Sequence, residues 1–386
     1  MPRLITALVG GCSSANHTGK GVTYTIQTPT GVLYCVHIDE QADIVFRKST
    51  DGGLTWTFNS VRLFSGTATQ LAVWYDRWSD IAAGKIHCAY TESVTDETFY
   101  RSIDTENSDA LSTQTTIFSG ASTAANASLS ITRARGGNLY CRTCIDGGTE
   151  GGFYRSTDVG ATWSVRTVNE ALASGDQMIL APGFAADSQD IIGIFWDSSA
   201  DEISRQLYDD SANTWAETSI AASMVDDLSS LGFAAAVDIA NSQVILAAWS
   251  GYDTANADLR CWTVTESAIT EKTNVVLNGT DDQGFCAVAL NTVTGHWHVF
   301  YCGKSDGSET ANNSWNVYQK ISTDSGSTWS AEILVTDTIG EKRMLAATPR
   351  FTGNWAVMFD SAGPIEYTMQ VICTVGFPRA QAMLGI

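Results

Sequence analysis

The chain has 386 residues, 17% of them charged, and a formal net charge of −20. An acid excess of that size repels phosphate backbones and anionic headgroups, which speaks against nucleic-acid binding and against docking on an anionic membrane. No apolar run reaches the roughly 18 residues of a transmembrane helix, so no membrane insertion is expected.

Aromatic residues make up 10% of the chain and prolines number 6. That texture suits an all-β extracellular or virion-associated protein. The apolar stretch near the start is too short for a signal h-region, so no cleaved signal peptide is expected, and release within a virion is one alternative route. Nine cysteines is an odd number. They read as small buried hydrophobes rather than a disulfide framework.

Taken in chain order, the predicted elements repeat. The first unit, 22–64, has apolar stretches at 22–28, 31–35 and 44–49, a turn at 49–56 and a last stretch at 56–63. The second, 69–118, has 70–75, 84–88 and 98–102. The third, 127–168, has 128–133, 137–141, 152–156 and 163–168. The second stretches of these units end at Cys35, Cys88 and Cys141, each 53 residues after the one before. The fourth unit, 177–220, has 178–184, 190–196 and 203–208. The fifth, 231–277, has 232–239, 243–249 and 258–264. The sixth, 284–335, has 285–291, 295–301 and 315–322. The seventh, 344–375, supplies only three stretches, 344–351, 353–359 and 365–374, before the chain nearly stops.

Short apolar runs without helical periodicity read as strands. Four strands per unit and seven units predict an all-β, seven-bladed β-propeller of four-stranded antiparallel blades, one domain spanning 1–386. The strand at 3–9 is expected to complete the seventh blade and lock the ring.

Three turns match Ser-x-Asp-x-Gly-x-Thr-Trp. They carry Ser49, Asp51, Gly53 and Trp56; Ser156, Asp158, Gly160 and Trp163; and Ser322, Asp324, Gly326 and Trp329. A degraded fourth runs from Asp210 to Trp215, and the second unit keeps only Ser102-Ile103-Asp104. The pattern resembles the BNR, or Asp-box, repeat of the sialidase superfamily. Because sialidases have six blades, the resemblance makes six the alternative count. The motif itself reads as structural: Asp and Ser side chains bond turn backbone, Gly takes positive φ, and Trp wedges into apolar space.

The resemblance also implies an arginine triad, with a Tyr–Glu pair and an Asp for catalysis. The Arg-Ile-Pro motif expected for the first arginine is absent; Pro2-Arg3-Leu4-Ile5 is not it. Arg47, Arg101, Arg155, Arg205 and Arg260 fall on third strands, near the Asp-box end. Only Arg343, with Lys342, Lys304 and Lys20, reaches the face built by second-to-third-strand loops. No catalytic residue is therefore assigned.

What those loops carry is acid: Asp39, Glu92, Asp146, Asp197, Asp253, Asp306 and Asp360. Trp196, Trp249, Tyr252, Trp315 and Phe359 lie near them. Carboxylates beside aromatic faces suit hydroxyl-rich sugars, and carboxylates alone suit Ca²⁺. A plain solvated acidic rim accounts for the same residues. Cys141-x-x-Cys144 lacks the second pair a zinc site needs, and His296 and His298 read as polar pairing on one strand face. No cofactor is assigned beyond the Ca²⁺ possibility. The sequence thus favours non-enzymatic recognition of a glycan or protein partner, with a virion or phage tail as setting. The alternative is a glycan-active enzyme, a sialidase-like glycoside hydrolase or a polysaccharide lyase.

Overall fold

The computed structural model describes residues 3–12, 23–57, 61–75, 84–121, 128–144, 152–173, 175–222, 224, 232–250, 257–279, 284–304, 316–336, 341–353, 355–362 and 367–375. Their strands pair into seven sheets of four or five strands. In the first, Thr23–Gln27, Leu33–Ile38, Ile44–Ser49 and Val61–Phe64 lie side by side in chain order. The same antiparallel order recurs in the next five sheets.

The first strand of each sheet faces the axis. Thr23–Gln27, Ala68–Tyr75, Leu129–Arg133, Gln177–Pro182, Phe233–Asp238, Gly284–Asn291 and Glu341–Ala347 each lie against the next, and the last returns to the first. The ring is stitched by polar side chains reaching sideways. Ser128 Oγ accepts from the Met178 amide and Ser130 Oγ from the Leu180 amide, both at 3.0 Å. Tyr24 donates to the Leu71 carbonyl at 3.1 Å.

Closure follows the expected route. Arg3–Cys12 pairs antiparallel with Tyr367–Val375, placing Ile5 opposite Cys373. The strand is longer than the predicted 3–9, with a register shift between Leu8 and Gly10. Both chain ends thus share one sheet.

Second strands are buried on both faces: Leu33–Ile38 and Trp297–Cys302 have no exposed residue. Each blade is sandwiched between two neighbours, so these strands read as continuous apolar runs rather than alternating ones. The apolar core accordingly lies in the seams. One cluster joins Ile26, Val36 and Phe46 to Leu71, Cys88 and Tyr90 of the next blade. Another runs from Trp196 through Trp249 to Trp297. Cys35, Cys88, Cys141, Cys144, Cys261, Cys286 and Cys302 are buried and form no disulfide among the described residues.

The three Ser-x-Asp-x-Gly-x-Thr-Trp turns share one hydrogen-bond set. In the third blade Ser156 Oγ donates to Asp158 and accepts from the Gly160 amide, both at 2.8 Å. Asp158 also accepts from the Thr162 amide at 2.8 Å and from its hydroxyl at 2.6 Å. Those Thr162 bonds hold the Asp158 carboxyl down to about 2. The turns around Asp51 and Asp324 repeat the pattern.

Two of these turns also grip the blade before them. Trp163 packs edge-on against Tyr100, and Trp329 Nε1 donates to the Thr273 carbonyl at 2.9 Å. Because Trp163 leaves its sheet to fill that seam, the predicted strand 163–168 shrinks to Ser164–Val165.

The degraded turn departs from the reading of Asp210 as a turn closer. Its own turn is capped instead by Asp209, whose Oδ1 accepts from Ser211 Oγ and the Ala212 amide. Asp210 crosses to the third blade, taking two hydrogen bonds from Arg155 at 2.9 Å and one from Arg166. Trp215 keeps the motif's function, donating to the Thr167 carbonyl at 2.7 Å.

Candidate functional site

The loop carboxylates do not form a common ring of acceptors where they are described. Asp39 Oδ1 accepts from the Gln41 and Asp43 amides, and Asp197 Oδ1 accepts from Ser199 and Ala200. Glu92 accepts from the Val94 and Thr95 amides and from Thr67. Each closes its own hairpin, as short polar side chains at turns do. Burial works against the Glu92 charge, but the bonds from Thr95 and Val94 outweigh it and lower its pKa.

Trp249 is corrected outright. It is fully buried, its ring set edge-on to Tyr301 across a seam, so it has no face to offer a sugar. Trp196 is buried in the same way. Arg343 and Asp360 lie directly opposite each other on paired strands, Glu341–Ala347 and Ala356–Ala362. Asp146, Tyr252, Asp253, Asp306 and Trp315 lie outside the described residues.

Two third-strand arginines tie blades together: Arg101 donates to the Leu63 carbonyl and Arg205 to the Thr265 carbonyl, while Arg260 donates to Glu271 of its own blade. Cys144 Sγ donates to the Leu172 carbonyl, and His298 Nδ1 pairs with the Gln319 amide at 2.7 Å. Among the described residues no group of three or more His, Cys, Asp or Glu is placed to hold a metal ion.

Two cavities stand out among the described residues. The first lies on the axis, about 250 Å³, with residues from all seven inner strands in its wall. The second, about 340 Å³, opens at the seam between the fourth and fifth blades. Three exposed carboxylates, Asp190, Asp209 and Glu266, stand in its wall; the rings of Tyr208 and Trp215 face the other way, against Phe153 of the third blade.

Those carboxylates are anchored. Asp190 Oδ1 accepts from the Asp210 amide at 3.0 Å, Asp209 Oδ1 from the Ala212 amide at 2.9 Å, and Glu266 Oε1 from the Phe184 amide at 2.7 Å. Each keeps its second oxygen without a hydrogen bond among the described residues. The wall therefore gathers three fixed acceptors at one cavity. None of these three acids stood out in the sequence, since they sit on first-to-second and third-to-fourth-strand turns. The repeat phase holds the missing signal: Glu266 occupies the fifth blade's equivalent of the motif turn, which reaches over the blade before.

A neighbouring seam carries one more acid pair. Gln206 Nε2 donates to Glu170 at 3.0 Å and to Glu217 at 3.3 Å. Burial, then Glu217, Asp197 and Asp176, push the Glu170 carboxyl up to about 7.

No family model matches the sequence, and no curated protein matches it. Among solved structures the chain is similar to a polysaccharide lyase, an ulvan lyase bound to a GlcA–Rha3S unit. The TM-score is 0.55 at 10% identity, covering 94% of this chain and 95% of that one. It is also similar to a Trypanosoma rangeli sialidase mutant with trans-sialidase activity, at TM-score 0.51 and 9% identity. That match covers 97% of this chain but 59% of the sialidase, so the chain spans well under two thirds of the sialidase's length. An Aleuria aurantia lectin in complex with Fucα1-6GlcNAc aligns at TM-score 0.49 and 10% identity, over 94% of this chain and 98% of the lectin. At these identities the likeness establishes the fold: an all-β propeller.

Proposed function

We propose that the protein recognises a glycan without cleaving it, through the seam cavity between the fourth and fifth blades. One observation carries the reading: Asp190, Asp209 and Glu266 stand in one wall, each fixed by one oxygen and offering the other. Fixed acceptors bind sugar hydroxyls with little ordering cost. Three carboxylates disfavour an acidic sugar, so the ligand class is a neutral glycan. Ulvan lyase and the trypanosomal sialidase are propellers whose printed names attach them to glycans, acidic ones, which supports a glycan ligand while the neutral class rests on the three carboxylates. A virion-borne, receptor-binding setting fits the texture of the sequence.

The test is calorimetric titration with neutral methyl glycosides and with sialic acid, followed by product analysis of the same mixtures. A neutral glycoside is expected to saturate and emerge intact. Glu266→Gln and Asp209→Asn, whose amide oxygens keep the structural bonds, should each weaken it about tenfold, the scale of one hydrogen bond to a charged group, with little change in melting. Absence of binding across the neutral panel would refute the reading. New reducing or unsaturated ends would replace recognition with cleavage.

A further inference from the structure

The stretch that carries Glu170 is built as a strap. Between the outer strand Ser164–Val165 and the inner strand Gln177–Pro182, residues 166–173 leave the third blade and cross the outer part of the fourth. Polar bonds hold it there. The Thr167 carbonyl accepts from the Trp215 indole at 2.7 Å, and the Thr167 amide donates to Asn213 Oδ1 at 3.2 Å. Asn169 Nδ2 donates to Glu217 Oε2 at 2.7 Å, and Glu170 Oε1 accepts from Gln206 Nε2 at 3.0 Å. The far end is pinned separately. Leu172 is buried in the seam and its carbonyl accepts from Cys144, while the Asp176 carboxylate accepts from the Ala173 amide at 2.7 Å. The strap thus has two fixed ends and a polar middle.

That middle holds a conflict. Gln206 is buried, and its one amide nitrogen serves both Glu170 and Glu217, so the two carboxyls stand side by side. Asp197 and Asp176 add negative charge from the fourth blade. Arg142 faces Glu170 from the third blade, but it donates to the Glu170 backbone carbonyl. Two ionised carboxylates on one amide repel each other. A proton on Glu170 removes the repulsion and keeps the Gln206 bond, because a neutral carboxyl still accepts. Burial and the neighbouring acids push the Glu170 carboxyl from 4.5 up to about 7. The strap's grip is therefore complete below 4.5 and is lost as pH rises through about 7.

We propose that residues 166–173 form a pH-operated strap, latched on the fourth blade while Glu170 is protonated and released in its middle once Glu170 and Glu217 are both ionised. The pinned ends stay in place, so the opening is local. Segments held mainly by exposed polar bonds are the ones that open in this way. Release uncovers the Gln206 side of the fourth blade and frees the Trp215 indole from Thr167.

Hydrogen exchange of the intact protein at about pH 5 and about pH 8.5, corrected for the intrinsic rate and read by mass spectrometry on the strap, tests this. Protection of residues 166–173 should fall at least about tenfold at the higher pH. The second strand of the same blade, Leu139–Thr143, should keep its own protection. The loss should pass through a midpoint at about 7. Glu170→Gln, whose amide oxygen keeps the Gln206 bond, should hold the strap equally protected at both pH values. Equal protection at both pH values in the unmodified protein overturns the proposal. A loss shared by Leu139–Thr143 overturns it too, because the whole blade would then be opening. So does an undiminished loss in Glu170→Gln, since the titrating group would lie elsewhere.

Discussion

At Gly160 three demands fall on one residue. Its φ is +90°, its amide must reach Ser156 Oγ, and a Cβ there would stand 2.0 Å from Tyr100 Cε1 of the preceding blade. The first two demands are legible in the motif, because only glycine takes that conformation freely. The third is not, since Tyr100 lies sixty residues away and its role depends on which blade the turn leans over. Gly31 separates these causes: its φ is +86° with nothing within 4 Å of a Cβ. Gly31→Ala should cost about 1 kcal/mol of backbone strain. Gly160→Ala should cost roughly 2–4 kcal/mol, strain plus overpacking. Urea unfolding of the two variants measures the difference, and equal losses would show that the seam contact carries no weight. Asp210 and Trp249 went astray for a related reason. Residue type announces what a side chain can bond, but burial and direction are set by the neighbouring blade.

The strand was the most legible element, because the repeat of 53 residues fixes what precedes and follows each copy. Four apolar stretches per unit became four paired strands wherever a stretch had a partner within its own unit. The fourth strands were the least legible. They are short and half-exposed, so little apolar patterning marks them; Ser164–Val165 is one example. The closing strand could be inferred only by counting, since the last unit lacks a fourth stretch. Its register can be tested chemically. Ile5 stands opposite Cys373, and directly opposed residues of an antiparallel pair have Cα atoms about 4.5–5.5 Å apart, within reach of a disulfide. Ile5→Cys should therefore oxidise with Cys373, visible by mass and by faster migration on a non-reducing gel. Cross-linking the two chain ends should raise stability by up to about 4 kcal/mol. Pairing of Leu4→Cys in place of Ile5→Cys would mean the register is off by one.

On the scale of the whole molecule, charge and closure act against each other. The chain carries 42 acidic and 22 basic residues in a ring whose ends meet in one sheet. The overall sign was legible at once; where the acids point was not. Hairpin acids such as Asp39 and Asp197 closed turns, while Asp190, Asp209 and Glu266 gathered in a seam the sequence did not mark. Most second-to-third-strand loops that the sequence favoured as a ligand face lie outside the described residues, so the site came from the seams. Charges that are not paired repel one another across the ring, and a net charge far from zero opposes compactness. Salt shortens the reach of that repulsion from about 30 Å at 0.01 M to about 8 Å at 0.15 M. The melting midpoint should accordingly rise by a few degrees over that range, equally in sodium chloride and choline chloride. A midpoint that stays flat or falls would mean that seam pairs such as Arg155–Asp210 outweigh the general repulsion. A rise with Ca²⁺ alone would instead locate the effect in a cation site on the acidic loops.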